Sequence, residues 1–252
     1  MKTFRVARSV FLKFGGVLAL IFMTAPPAAL ASEDLTWSIS PYIWATDTKV
    51  DLKARGVPIG SGSISFGDLL DATDASFQGV VEGRKGRWSA FVDLTHLETS
   101  DRTARQLFDI KTESEVLVLD AAVAFWPAGE DDGLSVFAGI RYTDLQDKYR
   151  FRLNGTQLAV VQNNRDFTDI LLGARYIMPL SERWSFLTRG DYSFGDSQDT
   201  FQLQALVRWG FGARHQHGVL AGYRYKEADF KSGGVEEDYQ YKGPAIGLNF
   251  TF

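Results

Sequence analysis

The chain contains no cysteine, so hydrogen bonding and packing hold it together, not disulfides. Beyond residue 31 it lacks any uninterrupted apolar run of bilayer-spanning length, and a mean hydropathy of −0.13 excludes a helical membrane protein. A basic surplus is also missing. The 27 Lys and Arg are outnumbered by 31 Asp and Glu, which argues against nucleic acid as a partner. Histidine is scarce, with three residues in the whole chain. Aromatic residues, by contrast, make up 13%, and there are 24 glycines. A hydropathy near zero suits strands whose apolar and polar faces alternate and cancel in the average.

The first residues read as a cleaved signal peptide. Lys2, Arg5, Arg8 and Lys13 form a basic start, Phe14 to Met23 an apolar run, and Ala29-Leu30-Ala31 an A-x-A cleavage site before Ser32. Removing residues 1–31 leaves 221 residues and takes away those four positive charges, so the net charge moves from −4 to −8. Residues 32–252 are expected to form one domain.

Period-2 alternation predicts an all-β chain of ten strands, with eight or twelve as the alternatives. They fall at 36–50, 74–84, 87–100, 112–126, 133–152, 165–179, 183–196, 199–210, 216–230 and 239–252. Short turns at Lys85-Gly86, Ala128 to Gly133, Ser181-Glu182 and Ala213 to His215 alternate with longer polar connections at 51–73, 101–111 and 153–164. Short turns on one side and long loops on the other are the pattern of a transmembrane β-barrel, and an even strand count puts both ends on one side.

The faces are clearest near the C-terminal half. Trp184, Phe186, Thr188, Gly190, Tyr192 and Phe194 alternate with Ser185, Leu187, Arg189, Asp191 and Ser193. Trp37, Trp88, Trp184 and Trp209 share the apolar parity and the same end of their strands, as an interfacial girdle requires, while Trp126 falls on the other parity. Trp184 to Phe194 is ten residues, or ~33 Å of strand and ~25 Å of height at a ~40° tilt, the thickness of an outer-membrane apolar band. The same alternation with the apolar face inward would give a soluble periplasmic, lipocalin-like binding barrel.

At the other end, Ile246, Leu248, Phe250 and Phe252 alternate with Gly247, Asn249 and Thr251. This pattern resembles the C-terminal signature of Gram-negative outer-membrane β-barrels, which their barrel-assembly machinery reads. The resemblance implies export to the outer membrane, contact with its lipid and lipopolysaccharide, and no cofactor. Glu82-x-Arg84-x-Gly86-Arg87-Trp88 with Asp93, together with the segment 65–74, resembles a group of proteobacterial outer-membrane barrels over residues 36–100.

The inward parity is rich in charge. Glu82, Asp93, Asp120, Asp169 and Asp191 share it with Arg84, Arg141, Arg175, Arg189, Arg208, Arg224 and Lys226. In a narrow lumen opposite charges pair, since a lone desolvated ion is very costly. Two outcomes stay open: a salt-bridged core, or a hydrated pore whose arginine excess favours small anions. Phe66, Leu69 and Leu70 have helical spacing, as a rim helix or a lumen plug would. The basic residues of the outer connections (Lys53, Arg55, Arg102, Arg105, Lys111, Lys148, Arg150, Arg152) could touch lipopolysaccharide phosphates, but they are interleaved with acids, as on a solvated surface. His215-x-His217 lies at a short turn without a third metal ligand, and His96 points away from Asp93, so no catalytic or metal-binding set emerges. The expected role is structural or passive small-solute permeation, not catalysis. A lipid- or peptide-hydrolysing barrel is the alternative.

Overall fold

A computed structural model describes residues 35–252 apart from 106–107, 130–132, 154–155 and 233, so the signal-peptide reading of 1–31 lies outside the described residues. The described residues form twelve strands and one short helix. They are β1 (Thr36–Trp44), β2 (Asp47–Ala54), β3 (Val57–Ile64), helix α1 (Phe66–Ala72), β4 (Thr73–Lys85), β5 (Trp88–Arg105) and β6 (Phe108–Phe125). Then come β7 (Gly133–Leu153), β8 (Thr156–Pro179), β9 (Trp184–Gly195), β10 (Asp199–Phe211), β11 (His217–Ser232) and β12 (Val235–Thr251). Ten of these, β1 and β4–β12, pair antiparallel in order and close through β1–β12, while β2 and β3 stand outside the closed wall. Closure removes the sheet edges, the condition for crossing a bilayer with strands.

Register fixes the tilt. A row of paired residues starting at Trp184 passes Trp209, Val219 and Leu248, crosses the seam, and continues through Gly79, Leu94, Leu119 and Tyr142 to Thr168. Thr168 O accepts a hydrogen bond from the Asp196 backbone N–H. One circuit therefore climbs from 184 to 196 along the chain, a stagger of about twelve residues for ten strands. With that climb allowed for, Trp37, Trp88, Trp184 and Trp209 stand within roughly one residue of a common height. All four are solvent-facing, at 38–48% exposure. They form a level girdle.

The wall is inside out relative to a soluble protein. Phe194, Phe201, Leu203 and Ile170 are exposed, while Gln202, Ser193, Arg141 and Asp120 between them are at most 2% exposed. A lipocalin-like barrel would show the reverse. Burying polar groups and exposing large apolar ones is favourable only where the outer solvent is hydrocarbon.

The upper part differs from the sequence reading. The expected first strand, 36–50, breaks at Ala45–Thr46, and β2 then runs along the upper half of β12 instead of β4. Where Gly243 faces that break, an added Cβ would meet Ala45 O at 1.8 Å, so only glycine lets the backbones approach so closely. The expected long loops at 51–73, 101–111 and 153–164 are, in their described residues and apart from helix α1, strand: a β2–β3 hairpin, a tall β5–β6 pair, and a β7–β8 pair reaching Leu153 and Thr156. Polar residues extend these ladders because above the membrane a strand can be wet on both faces, and cross-strand ion pairs replace the apolar ones. Lys53–Asp238 and Arg150–Glu113 are two such pairs. Helix α1 is capped by Ser65, whose Oγ accepts from Asp68 N at 3.3 Å, and the Phe66 N–H donates to Asp47 at 2.9 Å. None of its residues is buried. It lies at the rim and does not plug the lumen.

Candidate functional site: the filled lumen

Inward side chains fill the barrel in layers. In the lowest, Arg175 grips Glu82 with two hydrogen bonds of 2.8 Å, and its guanidinium lies 4.8 Å from the Phe91 ring. Arg84 lies 4.3 Å over Trp126, whose indole N–H donates to Ser89 at 3.2 Å. This explains the inward parity of Trp126: it is an arginine platform and not part of the girdle. Beside these groups a cavity of about 750 Å³, lined in part by Ser38, Ser40, Arg208 and Asn249, occupies the end of the lumen nearest the short turns.

Above it sits the densest layer. Arg141 reaches both oxygens of Asp120 at 2.7 and 2.8 Å, one oxygen of Asp191 at 2.8 Å, and the Ser193 hydroxyl at 3.3 Å. Arg189 donates to Asp191, Asp93 and Asp120 at 2.7, 3.1 and 2.9 Å. The third guanidinium, Arg224, donates to Gln202 at 3.1 and 2.6 Å and to the Tyr42 hydroxyl at 2.9 Å. Tyr42 in turn donates to Asp93 at 2.8 Å, and Gln202 to Asp191 at 3.0 Å, which closes the ring of contacts. Lys226 is buried beside them, in the field of Asp120 and Asp191. Aromatic faces complete the cage. Arg189 stands 5.3 Å from Phe91 and 5.2 Å from Phe137, and Arg224 stands 4.7 Å from Trp44. Such a layer is tolerable at low dielectric because nearly every guanidinium N–H finds an acceptor or a ring face.

A third, apolar layer follows. Leu145, Phe167, Ala228 and Phe230 are buried together with Tyr239 and Tyr241, and the Phe167 and Phe230 rings are 4.9 Å apart. Above them Arg165 bridges Asp147 and Glu237, and Asp147 accepts from Ser114 at 2.6 Å. This cap ties β8 to β12 over the top of the shorter β9 and β10.

Of the twelve charged positions read from the sequence, eight meet in two clusters: Glu82 with Arg175, and Asp93, Asp120, Asp191, Arg141, Arg189 and Arg224. Three others have different partners. Asp169, expected to face an arginine, accepts instead from the Ser197 N–H at 3.0 Å and hydroxyl at 2.5 Å, pinning the β9–β10 turn, because Asp120 and Asp191 take the Arg141 guanidinium. Arg208 turns toward the short β10–β11 connection and donates to the carbonyls of His215, Gln216 and His217. Arg84 stacks on Trp126 and donates to Gly86 O at 3.1 Å. The sequence reading missed Tyr42, Gln202 and Ser193, although each has inward parity, and Ser197, which lies in the β9–β10 turn. Neutral residues do not advertise a charge network.

The seam carries the C-terminal residues. Phe252 and Trp37 exchange backbone hydrogen bonds of 2.8 and 3.1 Å, and the His217 ring lies 5.8 Å from Phe250 and 6.3 Å from Phe252. Ile246 and Leu248 face outward. His96 points outward, on the opposite face of β5 from Asp93, and contacts Glu98 at 3.1 Å.

No protein-family model and no curated protein matches the chain. Solved structures do. The outer-membrane protease OmpT from Escherichia coli aligns with a TM-score of 0.57 at 10% identity, covering 88% of this chain and 98% of that one. Ail, the attachment invasion locus protein of Yersinia pestis, aligns at 9% identity over 87% of this chain and 100% of that chain, with a TM-score of 0.40. OprG from Pseudomonas aeruginosa aligns at 12% identity over 86% and 95%, with a TM-score of 0.28. The chain has the closed antiparallel architecture of Gram-negative outer-membrane β-barrels. At these identities the likeness is one of fold alone.

Proposed function

We propose that this protein is a sealed structural barrel of the Gram-negative outer membrane, exported behind a cleaved leader of residues 1–31. Its lumen is a rigid ionic core and not a conduit. The observation that carries this reading is the layer of Asp93, Asp120, Asp191, Arg141, Arg189 and Arg224, in which Arg141 is 1% exposed and Asp191 and Asp120 are 3% and 2% exposed. A hydrated pore would leave such groups wet. The cavity of about 750 Å³ lies below this layer, so a solute entering it meets a wall of paired charge.

Trp37, Trp88, Trp184 and Trp209 serve as the inner membrane-interface belt, with bilayer lipid and lipopolysaccharide as the surrounding partners. Ile246, Leu248, Phe250 and Phe252 serve as the signal read by the barrel-assembly machinery. The role is not catalytic. Of the three histidines, His96 is outside the wall and His215 and His217 are at a short turn, and among the described residues none hydrogen-bonds a serine or threonine hydroxyl. A liposome-swelling assay with a small sugar tests the sealed lumen. Swelling no faster than that of protein-free vesicles is expected, and swelling that scales with incorporated barrel would overturn the proposal.

A further inference from the structure

The outer face of the wall holds a donor set that no part of the lumen account uses. His96 and Glu98 lie two residues apart on one face of β5, and Glu98 is directly paired with Glu115 on β6. One ligand atom from each of the three side chains falls within 4.8 Å of the others. His96 Nε2 and Glu98 Oε1 are already 3.1 Å apart. Ligands about 2.0–2.1 Å from a tetrahedral zinc ion stand about 3.3 Å from one another, so only Glu115 has to close in.

Charge gives an independent reason for a cation here. Carboxylates directly opposed on neighbouring strands repel, and Asp144 adds a third nearby. Two residues further up β6 from Glu115, Glu113 has both Lys111 and Arg150. Among the described residues, no lysine or arginine bonds Glu98, Glu115 or Asp144. The sheet supplies a countercharge to one glutamate and withholds it from the next.

The height fits the same reading. With the climb of the register allowed for, His96 stands at about the height of Phe194 and Phe201, the upper exposed aromatics of the wall, and Glu98 follows on the same face two residues further up. Glu115, Asp144 and Asp166 face outward at similar height, so a negative collar stands at the outer membrane boundary, where it concentrates cations.

We propose that His96, Glu98 and Glu115 form a binding site for a divalent transition-metal cation of the zinc class on the outer face of the barrel. One imidazole nitrogen and two carboxylate oxygens, carried by hydrogen-bonded strands, supply three ligands. The side chains of His96 and Glu98 are 27% and 47% exposed, so further positions stay open to water or to a phosphate oxygen.

The test uses the full, tag-free barrel refolded in detergent and stripped of metal. Zn2+ titration by calorimetry and Co2+ titration by visible absorption should each give one site per chain. His96→Ala and Glu115→Gln should each weaken Zn2+ binding at least tenfold, while Glu113→Gln should leave it unchanged. Heat-modifiable gel migration confirms that each variant is folded, and all three positions are on the outer surface. Absence of stoichiometric binding would overturn the proposal. So would Zn2+ binding that survives His96→Ala, or Mg2+ binding as tight as Zn2+.

Discussion

Replacing Asp191 by alanine removes the carboxylate that joins the two best-connected guanidiniums of the lumen. Asp191 accepts from Arg141 at 2.8 Å, from Arg189 at 2.7 Å and from Gln202 at 3.0 Å, and its side chain is 0% exposed. In the variant, Arg141 and Arg189 both fall back on Asp120, and Arg189 also on Asp93. Three guanidiniums then face two carboxylates where there were three. Breaking a buried pair by removing one partner costs about 3–5 kcal/mol, because the remaining charge stays desolvated. A hydrated lumen would screen that charge, and the loss would be at most about 1 kcal/mol. Urea unfolding of the barrel in lipid vesicles, followed by tryptophan fluorescence, separates the two. Adding Arg141→Met to Asp191→Ala should recover part of the loss, since it removes one orphaned cation. Asp191→Ala with wild-type stability would refute the paired lumen.

Two further perturbations test other parts of the fold. Gly139→Ala should prevent folding of the barrel, because the added Cβ would meet Ala121 O at 2.0 Å, whereas alanine for glycine elsewhere in a strand is mildly favourable. Heat-modifiable migration of a normally assembled Gly139→Ala protein would contradict that close approach. On the outer collar, burial and then Asp238, Asp199 and Glu227 push the Asp229 carboxyl up to about 6, with Lys53 opposing. The folded state therefore binds this proton more tightly than the unfolded chain, whose aspartates titrate near about 3.9. The unfavourable contribution is present above the folded value and is relieved as pH falls through about 6, so the urea midpoint should rise between about pH 7 and pH 5. Asp229→Asn should flatten this slope, and a slope unaffected by the substitution would count against the assignment.

The barrel was legible in the sequence because its two solvents impose strict alternation. One parity must dissolve in hydrocarbon and the other must pair its charges. Trp184 to Phe194 and Phe201 to Trp209 showed both faces, and the girdle tryptophans stand at the height their parity implied. Above the membrane that constraint disappears, and so did the legibility. Above the bilayer neither face has to be apolar, so the polar sequences of 101–111 and 153–164 read as loops although their described residues are paired in ladders. The break at Ala45–Thr46 was invisible because alternation continues on both sides of it. In the lumen, parity identified the charged residues but not who pairs with whom. Arg141 has a directly paired aspartate on each side, Asp120 on β6 and Asp169 on β8, yet it bonds Asp120 and the more distant Asp191 and leaves Asp169. That choice depends on side-chain reach across a curved wall. The His96, Glu98 and Glu115 set was readable only in part: His96-x-Glu98 gives one face, but Glu115 joins it through hairpin register alone.

Single-channel recording of the refolded wild-type barrel in a planar bilayer tests the sealed lumen most directly. The layer centred on Arg141, Arg189, Asp120 and Asp191 predicts insertion without steady conductance at moderate voltage in about 1 M KCl, where even a narrow wet pore would register. A stable, anion-selective current from the folded wild-type protein would contradict it.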